Sequence, residues 1–364
     1  DPAGGSWFLN LGRNLVFPLE AFYHLLFLGA ILAMLRQRWR TGLALAALLS
    51  ASHPFTGIEL LGILFGWVAL ERFLIGDRKV PVWLAPALLA LLALHAAYYL
   101  LYLNLDPEHR SLYEKWRTYD AALEWPTILL AYGFVAGFAL ARLFPWPAAR
   151  AVFAETRNRL FAVWFAGAFV LANNELLIDP IQPLHFTRGY IWTPLFLLGA
   201  PLLVQTLRGF FVRSGIVPKL SAAALSGLML FDNAFWFGLI ASLHPGIYLS
   251  PDERALFAWL SERGSRGELI LANADLAYAA TAYTPLRAWY SHPHNTPHAL
   301  ERRAELLDFL GSGRLPPGHE TTPFLIVRDS LRDNNPQVLP SGRDLRLVYR
   351  NGTIAAWLVA PVAP

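Results

Sequence analysis

The stretch "GLALAALLSASHPFTGIELLGILFGWVALERF", residues 42–73, decides how the rest of the chain is read. Residues 42–52 are apolar but too few to cross roughly 30 Å of hydrocarbon at about 1.5 Å per residue. Pro54 has no backbone N–H and restricts the residue before it, so His53-Pro54, with Gly57 close behind, breaks the helix. Basic residues flank both ends: Arg36, Arg38 and Arg40 before, Arg72, Arg78 and Lys79 after. Both ends therefore belong on one side of a membrane, with "HPFTG" turning outside it or part-way within it. Two readings stay open for that turn. It is an ordinary joint in a short helix pair, or a broken backbone lining a cavity, the one setting in which such a break is tolerated at membrane depth. His53 is correspondingly either a hydrogen-bonded cap or a ligand-facing group. Glu59, a turn beyond on an apolar helix, points into the bundle as a site residue or as half of an ion pair.

The composition places this stretch in a membrane protein. Of 364 residues 55% are hydrophobic and only 15% charged, where soluble domains carry roughly a quarter charged. Further apolar spans cover 14–35, 81–103, 125–144, 160–178, 191–207 and 220–243, giving seven or eight hydrophobic segments. Alternate connections hold thirteen basic residues against five. The richer set, which includes Arg142, Arg150, Arg157, Arg159, Arg208, Arg213 and Lys219, is expected in the cytoplasm. The net charge of +4 then belongs to those connections, and nucleic acid is not an expected partner. With no cysteine, disulfides and thiolate chemistry are excluded.

Residues 1–244 read as an α-helical polytopic bundle in the cell (inner) membrane, and residues 245–364 as a small extracytoplasmic α/β domain. In the latter, "SPDERALFAWLSERG" carries a Ser cap, Pro at the first helical position and Glu253 three residues after Ser250, a capping box. "GELILAN", "LRAWY" and "TPFLIVRDS" read as strands. "NTPHALERRAELLDFLGSG" reads as a helix capped by Thr296, and "LRLVYRNGTIAAWLV" as a hairpin turning on Asn351-Gly352. Between two crossings, Asn104 to Trp125 mixes charges with Tyr113, Trp116 and Tyr119, as an amphipathic segment at the interface does.

The densest polar chemistry is "NNELLIDPIQPLHFTRGYIW", Asn173 to Trp192. Pro180 and Pro183 prevent a continuous helix, and the stretch is expected at the external mouth of the bundle. Ionisable groups at membrane depth are costly and count as candidate sites. Arg188 suits a phosphate through its planar fork of donors. Glu175 or Asp179 suits a general base, or a divalent cation held through carboxylate oxygens. Gln182, His185 and His53 complete the candidate substrate-binding set. The alternative is that Asp179 or Glu175 pairs with Arg188 and pins the loop. His292, His294 and His298 in "SHPHNTPH" lack the converging fourth ligand and the helical spacing of a zinc site. No Walker, dinucleotide or "GxSxG" signature occurs.

On this architecture, and on "SHPFTG", "QPLHFTRGY" and "AYTPLRAWYSHPHNTP", the chain resembles the multi-spanning membrane glycosyltransferases of the GT-C class. The resemblance implies a polyprenyl-phosphate sugar donor, reaction on the external side and an external C-terminal domain. It also implies a catalytic acid in an external loop after a first helix. Because the chain opens "DPAGGSW", without Met and with only Asp1 acidic in its first thirteen residues, that helix and acid are expected upstream of Asp1. The competing expectations are a non-catalytic subunit docking other membrane subunits, and a lipid-linked sugar transporter.

Overall fold

The structure, a computed structural model, describes residues 18–116, 125–178, 181, 184–187, 190–242, 248–263, 267–292, 295–316, 324–340 and 344–359. The chain divides into two compact units, Asp1–Leu105 with Arg117–Ser242, and Asp106–Trp116 with Leu243–Pro364.

The first unit is helical. Helix α1 spans Pro18–Leu35, α2 Trp39–Ser52 and α3 Pro54–Ala69, with a π-helical turn continuing α3 to Ile75. Helix α4 spans Leu84–Ala96 and runs on through π and 3-10 turns to Leu105. Helix α5, Pro107–Trp116, belongs to the second unit. The bundle resumes with α6 (Trp125–Leu143), α7 (Trp146–Phe153), α8 (Thr156–Ala172), the single turn α9 (Leu184–Thr187), α10 (Trp192–Val212) and α11 (Ile216–Ala241). Among the described residues the apolar spans are largely helical, although the 160–178 span leaves its helix at Ala172, and the 42–73 stretch resolves into two helices. Three helical stretches among the described residues, Pro18–Leu35, Leu84–Leu105 and Trp192–Val212, are long and apolar enough to cross a membrane by length and composition. In α1, Phe27, Ala30 and Met34 are buried while Leu25 on the outer face is 69% exposed. An apolar outer face of that kind suits contact with lipid.

Small residues set the packing. A Cβ on Gly57 would stand 2.5 Å from the Ser50 Cα, so only glycine lets α3 fold back against α2 after the His53 break. Gly199 on α10 likewise meets the backbone of Ala139 on α6 at 2.9 Å. Such close backbone approach is what drives helix association where no hydrophobic force acts between helices.

At one end of the bundle, Glu71 in the π turn is fully buried and gripped by Arg159 near the start of α8. Nε donates to Oε1 at 2.6 Å and Nη2 to Oε2 at 2.8 Å. Arg159 also donates to the carbonyls of Phe153 and Ala154, at 2.7 and 2.8 Å. This two-pronged pair joins the connection after α3 to the connection before α8. The His53 break lies at the other end.

The second unit holds α5, α12 (Pro251–Arg263), β1 (Leu269–Leu271), α13 (Ala274–Tyr283), β2 (Arg287–Ala288), α14 (Ala299–Ser312), β3 (Phe324–Asp329), β4 (Leu345–Asn351) and β5 (Ile354–Val359). The sheet order is β2-β1-β3-β5-β4, with β2, β1 and β3 parallel and β5 antiparallel to both neighbours. One core packs α12 and α13 on one set of sheet residues, including Ile270, Leu325 and Val327. The other packs α14 on the alternate set, Leu271 and Ile326. The alternation follows from the two-residue period of a strand.

The capping box forms as the sequence implies: Ser250 N donates to Glu253 Oε2 at 2.7 Å and Glu253 N to Ser250 Oγ at 3.2 Å. Two boundaries move. Helix α14 starts at Ala299 with His298 as its cap, because Thr296 Oγ1 instead accepts from the backbone N–H of Ser291 and His292. The hairpin turns on Gly352-Thr353, since Asn351 pairs with Ile354. Gly352 has φ 50°, and a Cβ there would overlap the Asp252 carboxylate that accepts from Thr353 N. The 107–116 helix, expected at the membrane interface, groups with this unit, and its Ser111 Oγ accepts from His298 N at 3.2 Å.

Candidate functional site at the His53–Pro54 break

His53 is the single residue between α2 and α3. Its extended backbone (φ −148°, ψ 120°) ends one helix, and its ring Nδ1 accepts from Thr56 N at 3.1 Å, capping the next. Pro54 fills the first helical position, where a missing N–H costs nothing. The local sequence therefore dictates the joint, and the joint dictates where the ring stands.

Around it gathers a cluster of rings from α1, α3, α9 and the turn at Tyr190. His53 lies 4.7 Å from Tyr23 of α1 and 5.9 Å from His185 of α9. His185 stacks on Phe55 at 4.5 Å with the planes 7° apart, and Phe186 meets Phe55 edge-on at 5.7 Å. Tyr190 stacks on Phe27 at 4.4 Å and meets His24 edge-on at 5.2 Å. The structure thus brings together His53 and His185, two sequence-predicted candidates 132 positions apart in number but neighbours in space.

One turn along α3 from Phe55, on the same face, stands Glu59. It is fully buried, and among the described residues neither carboxylate oxygen has a hydrogen-bond partner. Side chains on a helix lean toward its N-terminus, so Glu59 leans back toward the turn that carries Phe55. Among the described residues the ion pair that was the alternative for this residue does not form. An isolated buried carboxylate costs several kcal/mol, which a donor or cation offsets on arrival.

On the other side of the joint, α2 and α4 border an open groove of about 440 Å³. Ser50 Oγ and His95 Nδ1 lie 2.7 Å apart, Tyr99 OH donates to Ser50 O at 3.4 Å, and Ala47, Leu91 and Leu94 form apolar walls. His95 and Tyr99 carry a polar signal that a hydropathy reading absorbs into a crossing segment, and the sequence reading missed them.

The mouth stretch is partly described. Asn174 is buried and pins the chain: its Oδ1 accepts from Ile181 N at 2.9 Å and its Nδ2 donates to Leu171 O and Ile181 O. Glu175 sits in the 3-10 turn Asn174–Leu176, half-buried, with Oε2 enclosed and without a hydrogen bond. Asp179, Gln182 and Arg188 lie outside the described residues, and so does the expected pairing of Arg188 with an acid. Among the described residues no three His or acidic side chains converge to hold a metal. His294 also lies outside the described residues, and His298 lies 3.7 Å from Glu301.

Chemically, the arrangement offers imidazole groups at a helix break, an enclosed carboxylate one helical turn along α3 from the ring they pack on, and a groove with apolar walls next to the joint. It can accept a hydroxyl proton and donate N–H groups to an anion. No protein-family model matches the chain, and no curated protein matches its sequence.

Proposed function

We propose that the chain is a membrane glycosyltransferase-like protein that takes its sugar from a polyprenyl phosphate on the extracytoplasmic side. The observation that carries this reading is Glu59, buried and without a donor among the described residues, one turn along α3 from the ring on which the imidazoles pack at the His53–Pro54 break. In this reading all eight apolar helical segments cross the membrane or dip into it. The basic connections, with the Glu71–Arg159 pair among them, face the cytoplasm.

Chemistry then runs at the opposite end. The acceptor oxygen bonds to the anomeric carbon as the bond from that carbon to the phosphate oxygen breaks. The acceptor proton passes to a carboxylate, and the lipid phosphate leaves with the bonding electrons. Glu59 is the enclosed carboxylate; Glu175 and Asp179 are the carboxylates of the mouth. Arg188, with His185, Gln182 and His53, is assigned to the phosphate and the sugar. The groove beside Ser50 and His95 suits the first isoprene units, because its walls are alanine and leucine while its polar groups sit near the break.

The test is binding of a polyprenyl-phosphate hexose to the full chain in detergent micelles, followed by photo-crosslinking. The reading expects saturable crosslinking that free polyprenyl phosphate competes away, with Arg188→Ala weakening it about tenfold or more. Crosslinking that does not saturate, or that a plain phospholipid competes away equally well, sinks the donor assignment.

A further inference from the structure

From the chemistry of a separate cavity, we infer that the α/β unit carries a saccharide-binding site of its own, between the carboxyl ends of β1 and β3. The sheet order places a reversal there. The connection from β1 leads through α13 to β2 on one side, and the connection from β2 leads through α14 to β3 on the other. The two helices consequently lie on opposite faces of the sheet. Ligands of open parallel sheets settle in the crevice that such a reversal leaves outside the strand ends. Here the crevice is a cavity of about 370 Å³, at the small end of the roughly 300–1,000 Å³ range of ligand sites.

Its lining separates into supports and free groups. Asp333 is fully committed: Oδ1 accepts from Asn273 Nδ2 at 3.2 Å, and Oδ2 accepts from Asp329 N at 3.1 Å and lies 3.0 Å from Arg328 Nε. Asn273 caps α13 through Leu276 N at 3.0 Å, and Arg332 is held by Glu253 at 2.6 Å. These contacts fix the loop after β3. They leave Arg303, Asn334 and Asn335 exposed at the rim, over a floor made by Tyr290 and Leu306.

That combination fits a sugar ring better than a simple anion. Amide groups both donate and accept, as vicinal hydroxyls require, and the guanidinium of Arg303 adds a fork of donors. Tyr290 and Leu306 offer an apolar surface for the C–H face of a ring. Among the described residues an anion would meet only one cation not already paired, Arg303. The Leu276 N–H at the helix terminus, otherwise the natural anion donor, is occupied by Asn273. The inference holds whether or not the bundle binds a lipid-linked sugar.

The experiment is ligand-observed NMR and calorimetry on the full chain in detergent, using methyl glycosides of glucose, galactose and mannose, N-acetylglucosamine, glucuronic acid and inorganic phosphate. At least one pyranoside is expected to bind. Arg303→Ala and Asn334→Ala should each weaken it roughly five- to tenfold. Gly311→Leu supplies a blocking variant that keeps the fold, because Gly311 lines the cavity and a Cβ there meets nothing within 4 Å. It should abolish binding. Failure of every pyranoside to bind, binding of phosphate alone, or pyranoside binding unchanged in Gly311→Leu and Arg303→Ala would each overturn the assignment.

Discussion

Glu71 and Glu59 both lie fully buried along one continuous helical stretch, about three turns apart, and they are opposites in every other respect. Glu71 is met by both prongs of Arg159, and Thr156 Oγ1 donates to it at 3.4 Å. Among the described residues nothing donates a hydrogen bond to Glu59, although it is fully buried. A buried carboxylate with a geometrically matched guanidinium is a joint between helices. One without any donor is a standing cost, tolerated where a substrate or cation supplies the missing partner. The two acids thus differ in whether their charge is met, and the contrast can be tested one residue at a time.

The largest effect belongs to the satisfied end. Arg159→Ala strands Glu71 without a cation, and should lower the unfolding free energy in detergent by about 3–5 kcal/mol. Glu71→Leu combined with Arg159→Met should recover most of that loss, because the pair is replaced by apolar volume rather than broken. A thermal midpoint equal to wild type in Arg159→Ala would dissolve the contrast. Next in size is Gly57→Ala, which forces a methyl into the Ser50 backbone and should cost about 1–3 kcal/mol. Ser50 is part of a helix and cannot step aside as a flexible side chain can. The same variant should also displace His95, whose Cε1 lies 3.3 Å from the added methyl.

How much of this is legible in the sequence depends on the distance over which each contact is made. The capping box at Ser250, the Pro54 break and the apolar helices are local, so propensity and period announce them. The Glu71–Arg159 pair spans 88 positions, and no rule read along the chain couples those two residues. Glu59 is harder still. Its partnerless state is a property of three-dimensional enclosure, and in sequence it looks like any acid one turn past a cap. The meeting of His53 with His185 is readable in outline, because counting crossings puts both on the same side, but the stacking of His185 on Phe55 is not. In the second unit, the Thr296 boundary fails because a threonine hydroxyl can close a local turn as readily as it can cap a helix.

At the unsatisfied end the stability sign should reverse. Glu59→Leu removes a buried polar group that has no partner and adds nothing that must be paired, so the fold should gain about 1–3 kcal/mol or stay level. If the carboxylate takes the acceptor proton, sugar transfer from the polyprenyl donor should fall by about a hundredfold or more in the same variant. A protein that is more stable and less active is the signature of a site residue. A Glu59→Leu chain that is more stable and fully active would leave the carboxylate without a role in catalysis.

The smallest change in stability is expected at His53, where capping and recognition are carried by one ring. His53→Asn preserves an N-cap acceptor, since asparagine is among the preferred residues at that position, and should alter stability by less than about 0.5 kcal/mol. It removes the imidazole that stands 4.7 Å from Tyr23 and 5.9 Å from His185. Donor crosslinking should then fall severalfold while the thermal midpoint holds. His53→Ala, by contrast, loses both functions and should cost about 0.5–2 kcal/mol as well. If Asn restores crosslinking to the wild-type level, His53 is a cap only, and recognition at this end of the bundle rests on His185 and the mouth.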